Sequence, residues 1–235
     1  MNTPDIDRVL SEAASRLGAR PEDAMTREIE QRLISDLRPV RPMASERQLS
    51  LAMAAAFLIV LGFGVWRLGT SGYFAMTHIE AWSMFGGLAG ASAVMAGSLS
   101  KQMAPGSRHR IEPAVLPWAL LAVMFAIVVA VFTAHREPGF WPAAWVCFTV
   151  GLPYAVAVAI PFVLLLRRGA VLAPRWTGAA AGLFAGFTGT SVLEIYCPNL
   201  NLWHRMVGHL GVALFTTLAG LAVGWVLEAA ARRTQ

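Results

Sequence analysis

The chain has 235 residues, of which 56% are hydrophobic and 14% charged, with a mean hydropathy of +0.55. Soluble domains carry about a quarter charged residues, so this composition excludes an ordinary soluble globule and points to an integral membrane protein. The formal charge of +5 comes from arginines placed beside apolar runs, which reads as membrane topology rather than nucleic-acid binding.

Charge divides the chain in two. Residues 1–48 hold 17 of the 33 Asp, Glu, Lys and Arg residues. This polar head is too short to bury much of a core alone, so it is expected to fold on a partner or stay partly unordered. It also leaves no signal peptide ahead of the first apolar run. Residues 4–18 predict a short helix with Val9, Leu10, Ala13 and Leu17 on one face. A second helix starts near Asp23 or Thr26, where Met25, Ile29, Leu33 and Leu37 recur every four residues among Arg27, Glu28, Glu30 and Arg32. Such a stripe lies on a membrane surface or docks in a groove of a partner protein. Nine acidic residues against eight arginines in the head argue against a simple basic membrane clamp. Arg38-Pro39-Val40-Arg41-Pro42 then ends the helix and leads into the membrane body.

Six apolar runs follow: residues 49–66, 79–99, 113–134, 141–166, 176–195 and 208–229. Each is long enough for a transmembrane helix. The fourth carries Pro142, Pro153 and Pro161, so a kink or an interfacial start is expected. The fifth spaces Gly178, Gly182 and Gly186 four apart, which lets a neighbouring helix approach closely. The expected fold is all-α and polytopic: a helical cytoplasmic head at 1–48 and a six-helix bundle with a short tail at 49–235.

Loop charge orients the bundle. Arg38, Arg41, Arg47, Lys101, Arg108, Arg110, Arg167, Arg168, Arg175, Arg232 and Arg233 fall on one side, against Arg67, Arg136 and Arg205 on the other. The arginine-rich side is cytoplasmic, which places both termini inside a bacterial inner membrane with membrane lipid around the body. Both cysteines and four of the five histidines then gather at the outer face, leaving His109 inside. Cys147 lies about 9 Å below the outer edge, at 1.5 Å rise per residue from Trp141. Cys197, His204 and His209 sit in or beside the outer segment Cys197-Pro198-Asn199-Leu200-Asn201-Leu202-Trp203-His204-Arg205-Met206-Val207-Gly208-His209.

Three readings of this outer cluster stay open. The histidines can be interfacial anchors and the cysteines small packing residues. Cys147 and Cys197 can form and break a disulfide in an oxidising compartment. Cys197, His204 and His209, with Cys147 or His78, can bind copper or zinc, because thiolate and imidazole are the matching ligand types. The spacing is not diagnostic: on a regular helix, five residues turn His204 and His209 about 140° apart. A bis-His haem is the weaker form of the metal reading. Glu80 and Glu194 lie near the outer ends of spans, where carboxylates are commonly solvated, and Glu228 is expected to pair with Arg232. No nucleophile–base pair, carboxylate pair or phosphate-cradling loop appears, so no enzymatic activity is expected.

Leu37-Arg38-Pro39-Val40-Arg41-Pro42 before the first of six spans, and Cys197-Pro198 before the last, resemble the NrsF-type membrane anti-sigma factors. The resemblance extends over the architecture of nearly the whole chain. It implies that the head binds and inhibits an extracytoplasmic-function sigma factor, without direct contact to nucleic acid, and releases it when the outer face registers stress. It also maps the family's paired cysteines onto Cys147 and Cys197. The chain departs from the family after the Cys-Pro, where Trp203-His204 and His209 replace the usual Trp-Tyr, and this adds metal sensing to redox sensing. The alternative is a membrane metal- or haem-binding protein that uses Cys197, His204 and His209.

Overall fold

The computed structural model describes residues 45–103, 111–135, 139–168 and 173–233, together with positions 8, 12, 31 and 32. The chain divides into two compact units, Met1–Met43 and Ala44–Gln235. In the first, Arg8, Glu12, Gln31 and Arg32 are helical and exposed. The stripe expected at Met25, Ile29, Leu33 and Leu37, and the linker Arg38–Pro42, lie outside the described residues.

In the second unit every described regular element is a helix. We label them α1 (Glu46–Leu68), α2 (Ser71–Ala75), α3 (His78–Met103), α4 (Leu116–Phe132), α5 (Trp141–Arg168), α6 (Pro174–Tyr196) and α7 (Leu202–Arg233). Each of the six apolar runs contains a helix. Four of these helices, α1, α5, α6 and α7, are long and apolar enough to cross a membrane, and α4 is a shorter apolar helix.

The helix ends follow local chemistry. Ser45 starts α1 three residues ahead of the apolar run: its hydroxyl accepts from the Gln48 N–H at 3.3 Å, while Gln48 Oε1 accepts from the Ser45 N–H at 2.9 Å. That reciprocal pair satisfies two otherwise orphaned donors. Pro117 and Pro174 sit in the first turns of α4 and α6, where their missing N–H is no loss. Helix α5 runs unbroken from Trp141 with Pro153 and Pro161 inside it, so the expected kink or interfacial start does not interrupt the helix.

Helix α3 runs antiparallel to both α1 and α6, as three contacts show. Ser50 Oγ near the start of α1 meets Ser100 Oγ near the end of α3 at 2.7 Å. Thr177 Oγ1 near the start of α6 donates to Gln102 Oε1 at 2.8 Å. At the opposite end, Ser71 Oγ in α2 donates to the carbonyl of Tyr196 at 2.6 Å.

Helix α6 is the axis, buried at every residue from Thr177 to Glu194. It packs most extensively on α7, and also on α5, α3 and α1. The glycines set that order. A Cβ on Gly182 would lie 3.1 Å from Thr217 Cα and closer still to the Thr216 carbonyl. A Cβ on Gly178 would likewise strike Gly220. Backbones this close gain dispersion contacts that larger side chains would forbid.

The outer surface is apolar. Leu58, Ile59, Phe63 and Trp66 of α1, and Phe215, Leu218 and Val226 of α7, stand exposed. A surface of this kind suits hydrocarbon rather than water. The tryptophans form two belts. Trp66, Trp82, Trp141, Trp145 and Trp203 lie at the end where α1 finishes and α5 begins, and Trp118, Trp176 and Trp225 at the other. Tryptophan collects at both membrane–water interfaces.

Candidate thiol–imidazole site

The segment that joins α6 to α7 is built around backbone hydrogen bonds. Cys197 caps α6, its N–H donating to the Leu193 carbonyl at 2.7 Å. Pro198 ends the helix. Asn201 then starts α7, its side-chain oxygen accepting from the His204 N–H at 3.1 Å. The Asn199 side chain accepts from the Asn201 N–H at 2.9 Å, which closes the turn.

The next five residues, Arg205–His209, form a π-helical turn, with the Leu210 N–H donating to the Arg205 carbonyl. In a π turn the hydrogen bond spans five residues, so residues five apart stack instead of diverging. His204 and His209 therefore share a face, with ring centroids 5.1 Å apart at 76°. This corrects the regular-helix expectation of a 140° divergence. Thr190 Oγ1 on α6 donates to the His209 carbonyl at 3.0 Å, a contact that supports the turn.

Cys147 reaches the same place from α5. Gly208 lets the chain lie against that helix: a Cβ there would meet the Ala144 carbonyl oxygen at 2.8 Å. The Cys147 thiol donates to Cys197 Sγ at 3.4 Å, and Cys197 Sγ lies 3.3 Å from His204 Nε2. Both cysteines are free thiols. One donor atom from each of Cys147, Cys197, His204 and His209 lies within 4.8 Å of all the others, and all four residues are buried. The hydrogen bond from Cys147 holds the Cys197 thiol well below the usual cysteine range. That direction favours the thiolate, which is both the nucleophile and the metal ligand. The donor set can hold copper or zinc.

Behind the thiols lies an ionic network that sequence reasoning missed. Glu194 is fully buried rather than solvated at the rim. One of its carboxylate oxygens pairs with Arg205 Nη1, and the other lies 2.7 Å from His209 Nδ1. Arg205, read from the sequence as an outer loop charge, is also fully buried. Its Nε donates to the Asn199 carbonyl at 3.1 Å, and its guanidinium carbon lies 4.2 Å from the centroid of the Phe132 ring on α4. The signal for this network was a carboxylate at the end of a glycine- and threonine-rich apolar run, with an arginine at the head of the next. Three buried nitrogens of the site have no hydrogen-bond partner among the described residues: His204 Nδ1, Arg205 Nη2 and His209 Nε2.

The other polar residues expected at the outer face stand apart from this cluster. Glu80 accepts from the Thr77 N–H at 2.7 Å and lies 3.3 Å from His135 Nε2. His78 lines a separate cavity of about 370 Å³ with Tyr73, Trp82 and Ile195, and is not among the four clustered donors. Glu228 pairs with Arg232 one turn on, as expected.

The bundle and its site define a helical membrane-type protein that carries a buried centre of two thiols and two imidazoles. Over residues 33–228 the sequence matches the family model described as negative regulator of sigma F, and the chain belongs to that family. The matched span takes in all four clustered side chains, Glu194 and Arg205, and, in the head, Leu33 and Leu37. No curated protein and no solved structure shows significant similarity to the chain.

Proposed function

We propose that the chain is a six-span anti-sigma factor of a bacterial inner membrane, with both termini cytoplasmic. Its head sequesters an extracytoplasmic-function sigma factor through Met25, Ile29, Leu33 and Leu37. The observation that carries this reading is the family match over residues 33–228. Two further features support it. The described basic residues Lys101, Arg175, Arg232 and Arg233 lie at the bundle end opposite the thiol–imidazole site, as the positive-inside rule requires of the cytoplasmic end. The tryptophan belts fit a body that lipid surrounds.

In this reading Cys147, Cys197, His204 and His209 receive a redox or metal signal from the periplasm, and the head loses affinity for its partner. The mechanism is a population shift between two bundle arrangements. A 100-fold loss of affinity takes only about 2.7 kcal/mol of coupling. The test is capture of a sigma factor by the full-length, detergent-solubilised protein. Deleting the head through Arg38 is expected to abolish capture and to raise expression of the sigma regulon. Unchanged repression by that deletion would refute the reading.

The four converging donors favour a second reading, a membrane metal-binding or haem-binding protein acting as carrier or electron-transfer subunit. A metal assay on wild type, Cys197→Ala and His204→Ala, combined with the sigma-capture assay, separates the two. Metal without sigma factor supports the second.

A further inference from the structure

We propose that Cys147, Cys197, His204 and His209 form one closed four-coordinate zinc site, with Glu194 as the carboxylate that positions His209. The proposal rests on the outer-end site being the input of the anti-sigma reading, and it makes that input a single centre with two exclusive states.

The first argument is distance. Zinc–sulfur bonds of about 2.3 Å and zinc–nitrogen bonds of about 2.05 Å at a tetrahedral angle separate two sulfurs by ~3.8 Å and a sulfur from a nitrogen by ~3.6 Å. Here the two sulfurs are 3.4 Å apart, and Cys197 Sγ is 3.3 Å from His204 Nε2. The widest separation in the set, 4.8 Å, closes by about 1.2–1.5 Å around an ion.

The second argument is the orientation of His209. Its Nδ1 lies 2.7 Å from a Glu194 oxygen, and its Nε2 is buried without a hydrogen-bond partner among the described residues. A carboxylate that takes the Nδ1 proton fixes the tautomer and leaves the Nε2 lone pair free. This is the outer-shell arrangement common to metal-bound histidine. A buried acceptor without a partner costs about 1–3 kcal/mol, and a metal bond removes that cost.

The third argument is charge. Glu194 and Arg205 already neutralise one another inside the protein. Two thiolates neutralise one Zn2+, so loading adds no net charge to a buried centre. Counted from the two neutral thiols, loading releases two protons: Zn2+ and two thiols give a zinc dithiolate and two H+. The same sulfurs cannot hold zinc and form a disulfide. A peroxide therefore reads as metal release: the zinc dithiolate, one H2O2 and two H+ give the disulfide, Zn2+ and two waters.

The experiment uses the full-length chain in detergent, stripped by a chelator and reloaded with Zn2+. Zinc per chain, free thiols and zinc-edge X-ray absorption are measured on the wild type. One zinc per chain with two sulfur and two nitrogen neighbours, expelled by one equivalent of peroxide as the disulfide forms, is the expected result. Cys147→Ser and His209→Ala should each lose the four-coordinate spectrum. Glu194→Gln should weaken zinc binding by about 10–100-fold while keeping full stoichiometry at saturation, and Glu194→Asp should recover part of the loss. If Glu194→Gln does not fold, the wild-type spectrum still decides. No bound zinc in a folded preparation with both thiols reduced overturns the proposal. So does a neighbour shell other than two sulfurs and two nitrogens, or loading by Cu+ but not by Zn2+. Sigma capture is scored on the same preparations. Capture without zinc sinks the zinc site alone, whereas zinc without capture sinks the anti-sigma reading alone.

Discussion

The buried Glu194–Arg205 pair gives the sharpest test of the bundle's energetics. Both side chains are fully buried, and Glu194 also holds His209. Removing one partner of a buried pair leaves an uncompensated charge and costs about 3–5 kcal/mol, whereas replacing both by apolar groups is often neutral or stabilising. Glu194→Leu strands the Arg205 guanidinium. At roughly 2–4 °C per kcal/mol for a chain of this size, the expected fall in Tm is about 6–20 °C. The double variant Glu194→Leu/Arg205→Met removes both charges but strands His209 Nδ1. His209 Nδ1 is stranded in Glu194→Leu as well, and the Asn199 carbonyl that loses Arg205 Nε costs at most about 1–3 kcal/mol more, so the double variant should regain part of the lost stability while remaining below wild type. Thermal unfolding in detergent, followed by size-exclusion chromatography of heated samples, measures both. If the double variant unfolds at or below the temperature of Glu194→Leu, the pair is not the electrostatic unit described here.

Three further outcomes follow from other parts of the structure. Gly182→Ala should destabilise by about 1–3 kcal/mol through overpacking against Thr216 and Thr217. Gly90→Ala, whose Cβ meets nothing within 4 Å, should be neutral or stabilising by up to about 1 kcal/mol; equal effects would contradict the helix packing. Mild oxidation should join Cys147 to Cys197, because their sulfurs are 3.4 Å apart; a mass loss of about two hydrogens, absent in Cys147→Ser, is the readout. Deleting Val207 should turn the π turn into an ordinary α turn that keeps His204 and His209, then four residues apart, on one face. Zinc binding and helix content by circular dichroism should both stay near wild type, and loss of binding in a folded variant would contradict the role given to the turn.

Much of this was legible because membrane helices announce themselves by length and hydropathy. The run at 176–195 became Pro174–Tyr196, and that at 141–166 became Trp141–Arg168. The charge bias that sorted the loops also brought Cys147 and Cys197 to one end, and the structure brings their sulfurs together. Two things were hidden. The π turn inserts one extra residue into a helical period, and no composition signal marks it, so periodicity alone aimed His204 and His209 apart. The burial of Glu194 and Arg205 depends on each finding the other across a loop. A count of charges near membrane ends cannot distinguish a paired interior arginine from a solvated one, and Arg205 was therefore read as a topology signal.

Helix α6 gives the molecule a mechanical property. Its 23 residues span about 35 Å at 1.5 Å per residue, and its two ends carry different chemistry. At one end Glu194 is tied to Arg205 and His209. At the other, Thr177 is tied to Gln102, two residues beyond the Ser100–Ser50 contact that anchors the start of α1. The close-packed backbone around its glycines leaves this rod little room to bend. In the anti-sigma reading, α6 is the rod that links a shift at its Glu194 tip, made by an ion or a closing disulfide, to its Thr177 tip.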